Sequence, residues 1–215
     1  MHKNLADDHS REQFQVDRIA FFSDAVIAIA ITLLVLEIKI PSIGKNASWH
    51  DIQTVYSKQL IHPFLGLFLS FFMIGRLWIR HHELFEFITH CNRILIRYNL
   101  YFLFSIVLLP VSTVFMMDKD NPKGVGSVVF IMNLGLCQLF FVFLLQTILN
   151  KMNIFYSRDV LEKIRRQRSD CLLFMAFLFV LAILILTKVE WAGYFIYLFT
   201  AFLILRRLKY GGPHH

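Results

Sequence analysis

The chain runs to 215 residues, of which 57% are hydrophobic and only 17% charged, with 22 basic against 15 acidic side chains and a mean hydropathy of +0.57. A soluble domain keeps about a quarter of its residues charged, so this composition excludes a soluble enzyme. Its 23 Phe residues exclude an intrinsically disordered chain. Residues 59–75, 98–117, 124–150, 171–187 and 191–205 contain no Asp, Glu, Lys or Arg. Each run, with a few flanking residues, reaches the ~20 apolar residues that cross a bilayer. Residues 19–40 are equally apolar except for Asp24 and Glu37.

Six spans follow, near 18–40, 60–82, 96–117, 125–149, 170–187 and 191–208. The fold class is therefore an all-α membrane protein. Residues 1–17 form an N-terminal cytoplasmic segment, 18–208 one six-helix transmembrane domain, and 209–215 a cytoplasmic tail. The first 17 residues are polar and mixed in charge, with no small-residue cleavage site after the first apolar run, so the first span reads as an uncleaved anchor. Pro41, Gly44, Asn46 and Trp49 mark the connection 41–59 as an external loop with a short interfacial helix. Pro110 kinks the third span, because it lacks a backbone donor and clashes with the preceding turn. Asp118–Gly126, with its Asn-Pro and two glycines, is a tight turn, and residues 150–169 are the polar stretch long enough for a surface helix. Residues 188–190 leave room only for a close hairpin between the fifth and sixth spans. Cys91, Cys137 and Cys171 are odd in number and scattered, which indicates neither a disulfide framework nor a metal site.

The net charge of +7 is a matter of orientation, not of nucleic-acid binding. With the spans numbered in order, 15 basic residues fall on one side, including Lys3, Arg11, Arg18, Arg80, Arg93 and Arg97 and the run from Lys151 to Arg168. Six lysines fall on the other, and Arg76 lies inside a span. Basic loops stay cytoplasmic, so both termini are expected there. The run Arg158–Arg168 would meet anionic lipid headgroups.

Ionisable residues inside spans are the first functional suspects. Asp24 lies about two turns into the first span, and Arg76 and the pair His81-His82 lie toward the cytoplasmic end of the second. A plain reading makes these groups satisfy one another between helices, with Arg76 snorkelling to the headgroups. A second reading makes Asp24 and His81 a proton relay in a secondary transporter, although no inverted repeat or paired broken helix accompanies them. His81, His82, Glu83, Glu86 and His90 cluster without the His-Glu-x-x-His spacing of a zinc enzyme, so no metal is expected. His81 could also confer pH sensitivity, since imidazole changes charge near neutrality. On a helical wheel Ile29, Thr32, Leu33 and Leu36 share one stripe, and Asp24 lies roughly 140° away from it.

Arg18-x-x-x-Phe22-Ser23-Asp24, opening the first span and followed by that stripe, resembles the signature of the transmembrane protein 175 family of lysosomal potassium channels and their prokaryotic homologues. Trp78-Ile-Arg-His81 at the end of the second span is similar to the family's Trp-x-x-His element. The resemblance implies a potassium-selective cation channel of modest selectivity, not an enzyme, working without a cofactor other than the permeant potassium ion. It implies a homotetramer, single-repeat chains meeting so that the first helix of each lines a central pore. It places the hydrophobic constriction on Ile29, Leu33 and Leu36 and the selectivity hydroxyl on Thr32. Arg18, Phe22, Ser23, Asp24, Trp78 and His81 become a structural network holding the pore helix. The expected surroundings are membrane lipids and the plasma membrane, with no nucleic acid.

Overall fold

A computed structural model describes residues 2–38, 42, 48–88, 92–118, 121–122, 124–151 and 156–188. Six helical segments follow in order: α1 (His2–Leu36), α2 (Trp49–Phe85), α3 (Arg93–Val107), α4 (Leu109–Met117), α5 (Val125–Lys151) and α6 (Arg158–Leu186). With α3 and α4 joined as one, five stretches are long and apolar enough to cross a membrane: Glu12–Leu36, Pro63–Phe85, Arg93–Met117, Val125–Asn150 and Arg158–Leu186. The sixth expected span, 191–208, lies outside the described residues, as does the 189–190 part of the hairpin.

Local chemistry accounts for several boundaries. Asn92 caps α3, its side chain accepting from the backbone N–H of Ile94 and Leu95, and Ser157 caps α6 by accepting from Val160 N–H. Asp159 adds a negative charge to the first turn of α6, where the helix dipole favours it. The expected break in the third span falls at Leu108, and Pro110 stands in the first turn of α4, where its missing donor costs little. Gly124 takes φ +91°, a left-handed conformation suited to glycine, just before α5 begins.

Two expected surface elements are instead parts of long helices. Trp49 opens α2 itself, so the described part of the 41–59 connection holds no separate interfacial helix. The basic stretch Arg158–Arg168 forms the first three turns of α6 and runs unbroken into its apolar part. No Pro or Gly separates Arg158 from Leu186, so hydrogen bonding in α6 simply continues, whereas α2 carries on through Pro63. The polar start of the chain likewise continues into α1 without interruption at residues 17–18.

α5 packs against α3, α4 and α6, while α1 rests on α2, α3 and α4. Phe102, Ile106, Leu109, Phe141, Leu144, Leu145 and Ile148 fill the centre between α3–α4 and α5. Ile27, Ala30 and Leu34 are among the buried positions of α1, and Ile74 and Leu77 among those of α2. Contacts such as Ser70–Thr113 with His81–Asn99, and Asn133–Ser112 with Phe102–Phe141, set neighbouring helices antiparallel, so Arg80, Arg93, Arg97 and the basic turns of α6 gather at one end of the bundle.

Candidate functional site

The polar residues of the signature meet where α1, α2 and α3 converge. Asn99 on α3 is the hinge of the arrangement. Its Nδ2 donates to Ser23 Oγ at 2.9 Å, and Ser23 Oγ donates to the backbone carbonyl of Ile19 at 2.8 Å. With Nδ2 so engaged, Asn99 Oδ1 is the acceptor facing His81 Nε2 at 2.8 Å, which assigns the ring proton to Nε2. A one-way chain of donors thus runs from α2 through α3 to α1. Ser23, His81 and Asn99 are all buried. The His81 ring is stacked between Phe85 and Phe102, with centroids 4.4 and 5.3 Å away. Burial makes each of these bonds hard to give up, since an unpaired polar group in an apolar interior costs about 1–3 kcal/mol.

A second tie lies beside the first. Trp78 Nε1 donates to Asp24 Oδ1 at 2.8 Å, and the indole stacks on His82 with centroids 5.6 Å apart. Asp24 and His81 therefore answer to different partners, an indole and a carboxamide, and no direct relay joins them. His82 points away from His81 toward Glu86, 3.6 Å from its carboxylate, and the described residues contain no metal-binding group of His, Cys, Asp or Glu.

The structure leaves two expected members outside this network. Arg18 lies over the Phe14 ring, 5.9 Å from its centroid, and does not reach Asp24. Phe22 is 52% exposed and stands on the same stripe as Ile29, seven residues on. Sequence reasoning also missed Asn99, because a search for charges passes over a neutral amide. The available signal was an Asn inside the charge-free run 98–117.

Arg80 was expected as a topogenic loop charge and is instead an interior clasp. Its guanidinium donates to Gln138 Oε1 on α5 at 3.4 Å, and to the Gln167 carbonyl and Cys171 Sγ on α6 at 3.1 and 2.8 Å. It also lies over the Phe141 ring at 5.1 Å. A planar guanidinium with five donors can bridge three helices in this way. Arg76 is exposed on α2, as a snorkelling side chain would be.

With one side of α1 tied down at Ser23 and Asp24, the other side turns out of the subunit. Ile29 and Leu36 are 59% and 74% exposed, and Thr32 and Leu33 are exposed beside them, while Ala30 is fully buried. The Thr32 hydroxyl donates to the Ile29 carbonyl at 2.8 Å, so its oxygen lone pairs remain open.

Comparison with known proteins bears on the family resemblance. The family model described as Endosomal/lysosomal potassium channel TMEM175 matches residues 18–110. A potassium channel of Streptomyces collinus is 32% identical over 117 residues, covering 53% of this chain and 54% of that protein. A potassium channel of a Chryseobacterium species is 36% identical over 96 residues, covering 45% and 46%. The match thus spans about half the length of these relatives. The crystal structure of a lysosomal potassium-selective channel TMEM175 homolog from Chamaesiphon minutus shares the fold at a TM-score of 0.70 and 22% identity, covering 90% of this chain and 98% of that one. The membrane-length helices and these matches together make the chain an integral membrane protein, similar to the TMEM175 channels in sequence over residues 18–110 and in fold.

Proposed function

We propose that the chain forms a homotetrameric cation channel, modestly selective for potassium over sodium, with α1 of each copy lining a pore on the fourfold axis. The observation that carries this reading is the outward stripe of α1: Ile29, Thr32, Leu33 and Leu36 are exposed on a helix whose other side is pinned by Ser23 and Asp24. The curated relatives named as potassium channels support the activity.

Four Ile29 side chains around an axis would make a narrow apolar neck that conducts only when wetted. An ion entering it sheds part of its water without strong replacement ligands. Potassium holds its shell less firmly than sodium and loses less there, whereas calcium keeps a demanding oxygen shell and is excluded. A ring of Thr32 oxygens, their hydrogens already committed to the helix, would return partial coordination one turn on. Selectivity of this kind is weaker than that of a carbonyl cage. The basic end of the bundle supports an orientation with the membrane-proximal arginines and both termini on the cytoplasmic side, in the plasma membrane.

Ion flux from liposomes under potassium and then sodium gradients tests the proposal, with Ile29→Asn beside the parent chain and the oligomer mass measured in detergent. The expected result is a tetramer whose potassium-favouring flux rises or loses selectivity on Ile29→Asn. Flux that requires a proton gradient would instead favour a transporter. Intact tetramers without flux in either form would remove the pore from α1.

A further inference from the structure

α6 carries one outward stripe along its whole length. Residues seven apart on a helix lie within about 20° of one another, and Arg158, Arg165, Leu172, Phe179 and Leu186 follow that spacing. All five are exposed, Phe179 to 68%. The stripe is therefore basic at one end and apolar along the rest, on a single unbroken helix. Its charge-free part begins at Cys171, and Arg165 stands about 9 Å beyond that point along the axis. A headgroup layer about 5–7 Å thick borders the hydrocarbon core, so the Arg165 backbone stands about 2–4 Å outside it, within the reach of its long side chain.

The other basic side chains of these turns are occupied. Arg166 bonds Glu162 at 2.6 Å, Arg168 donates to Gln146 Oε1 at 2.5 Å, and Lys163 lies over the Phe87 ring at 4.9 Å. Arg158 and Arg165 make no hydrogen bond or ion pair among the described residues. The nearby carboxylates do not neutralise them: Glu162 is committed to Arg166, and Asp159 and Asp170 lie roughly 120–140° around the helix from Arg165. The geometry points to a binding site for an anionic phospholipid, its phosphate at Arg165 with Arg158 about 10 Å farther out along the axis, and an acyl chain along Leu172 and Phe179. Arginine suits a phosphate because its fork of donors matches two oxygens at once.

This site needs only the face of α6 and stands apart from ion passage. The full chain, purified in neutral detergent, is titrated with dioleoylphosphatidylglycerol or dioleoylphosphatidylcholine, and bound lipid is counted by native mass spectrometry. The phosphatidylglycerol is expected to bind at least fivefold more tightly than the phosphatidylcholine. Arg165→Gln should reduce that preference about fivefold, since a basic residue near the surface is worth about 1 kcal/mol toward anionic lipid. Arg166→Gln, whose parent side chain is already paired, should leave it within twofold. The inference is overturned by equal affinity for the two lipids, or by a preference that survives Arg158→Gln with Arg165→Gln. It is also overturned if soluble glycerol 3-phosphate competes as well as the lipid, or if an intact oligomer binds no lipid because a second copy covers the stripe.

Discussion

At the residue scale, Asn99 and Asp24 do different work. Asn99 is a two-sided linker, accepting from His81 and donating to Ser23. Asn99→Leu keeps the volume roughly but strands the His81 N–H in an apolar site. The expected loss is about 1–3 kcal/mol of stability, read as a lower unfolding midpoint in detergent. Asp24 holds one charge-assisted bond, from Trp78. Asp24→Asn retains an acceptor and should cost about 1 kcal/mol, lowering oligomer yield before it alters ion preference. Trp78→Phe removes the donor and leaves the carboxylate unanswered, so it should cost about 1.5–3 kcal/mol. Thermal unfolding of the two variants side by side tests the order. A well-assembled Asp24→Asn protein with changed selectivity would contradict it. The motif Phe22-Ser23-Asp24 was legible in the sequence, but the roles within it were not. Ser23 and Asp24 face inward to two different helices, and Phe22, their neighbour, faces out. A hundred degrees per residue separates those fates.

At the element scale, close approach of backbones decides how α4 and α5 meet. A Cβ on Gly126 would overlap the Phe115 carbonyl and come within 2.9 Å of Met116 Cα. Both neighbours are main chain and cannot swing aside, so Gly126→Ala should destabilise by about 1–3 kcal/mol. Gly135, nine residues along the same helix, has nothing within 4 Å of its Cβ direction. Gly135→Ala should be neutral or gain up to about 1 kcal/mol from helix propensity. Unfolding midpoints of the pair make the comparison. The charge-free runs marked where these helices would be, yet not their true ends. Charged turns at Arg158–Arg168 and the polar start of α1 look like loops to a hydropathy scan, but proline-free sequence continues a helix through them.

For the whole molecule, the decisive contrast lies between adjacent positions of α1. Ile29 is 59% exposed in the single subunit and Ala30 is fully buried. Ile29→Asn should therefore leave subunit stability nearly unchanged while altering flux. Ala30→Leu forces extra methylenes into a packed contact and should cost about 1–3 kcal/mol. If Ile29→Asn were the more destabilising of the two in unfolding measurements, the rotation of α1 would be wrong. Arg80 shows the same dependence on the assembled bundle. In sequence it is one of many basic residues near a span end; in the fold it joins α2 to α5 and α6.

The sequence alone determined that this is a helical membrane protein, where five of its spans lie, and which four residues share one stripe of α1. Those are properties of composition and of a 3.6-residue period, which act locally along the chain. Only the tertiary structure decided that Asn99 joins Ser23 to His81, that Asp24 answers to Trp78, and that Arg80 points inward. Hydrogen bonds between residues 18 to 91 positions apart depend on how helices are rotated and set against one another. In an apolar span every face looks alike, and a few buried polar bonds choose the rotation.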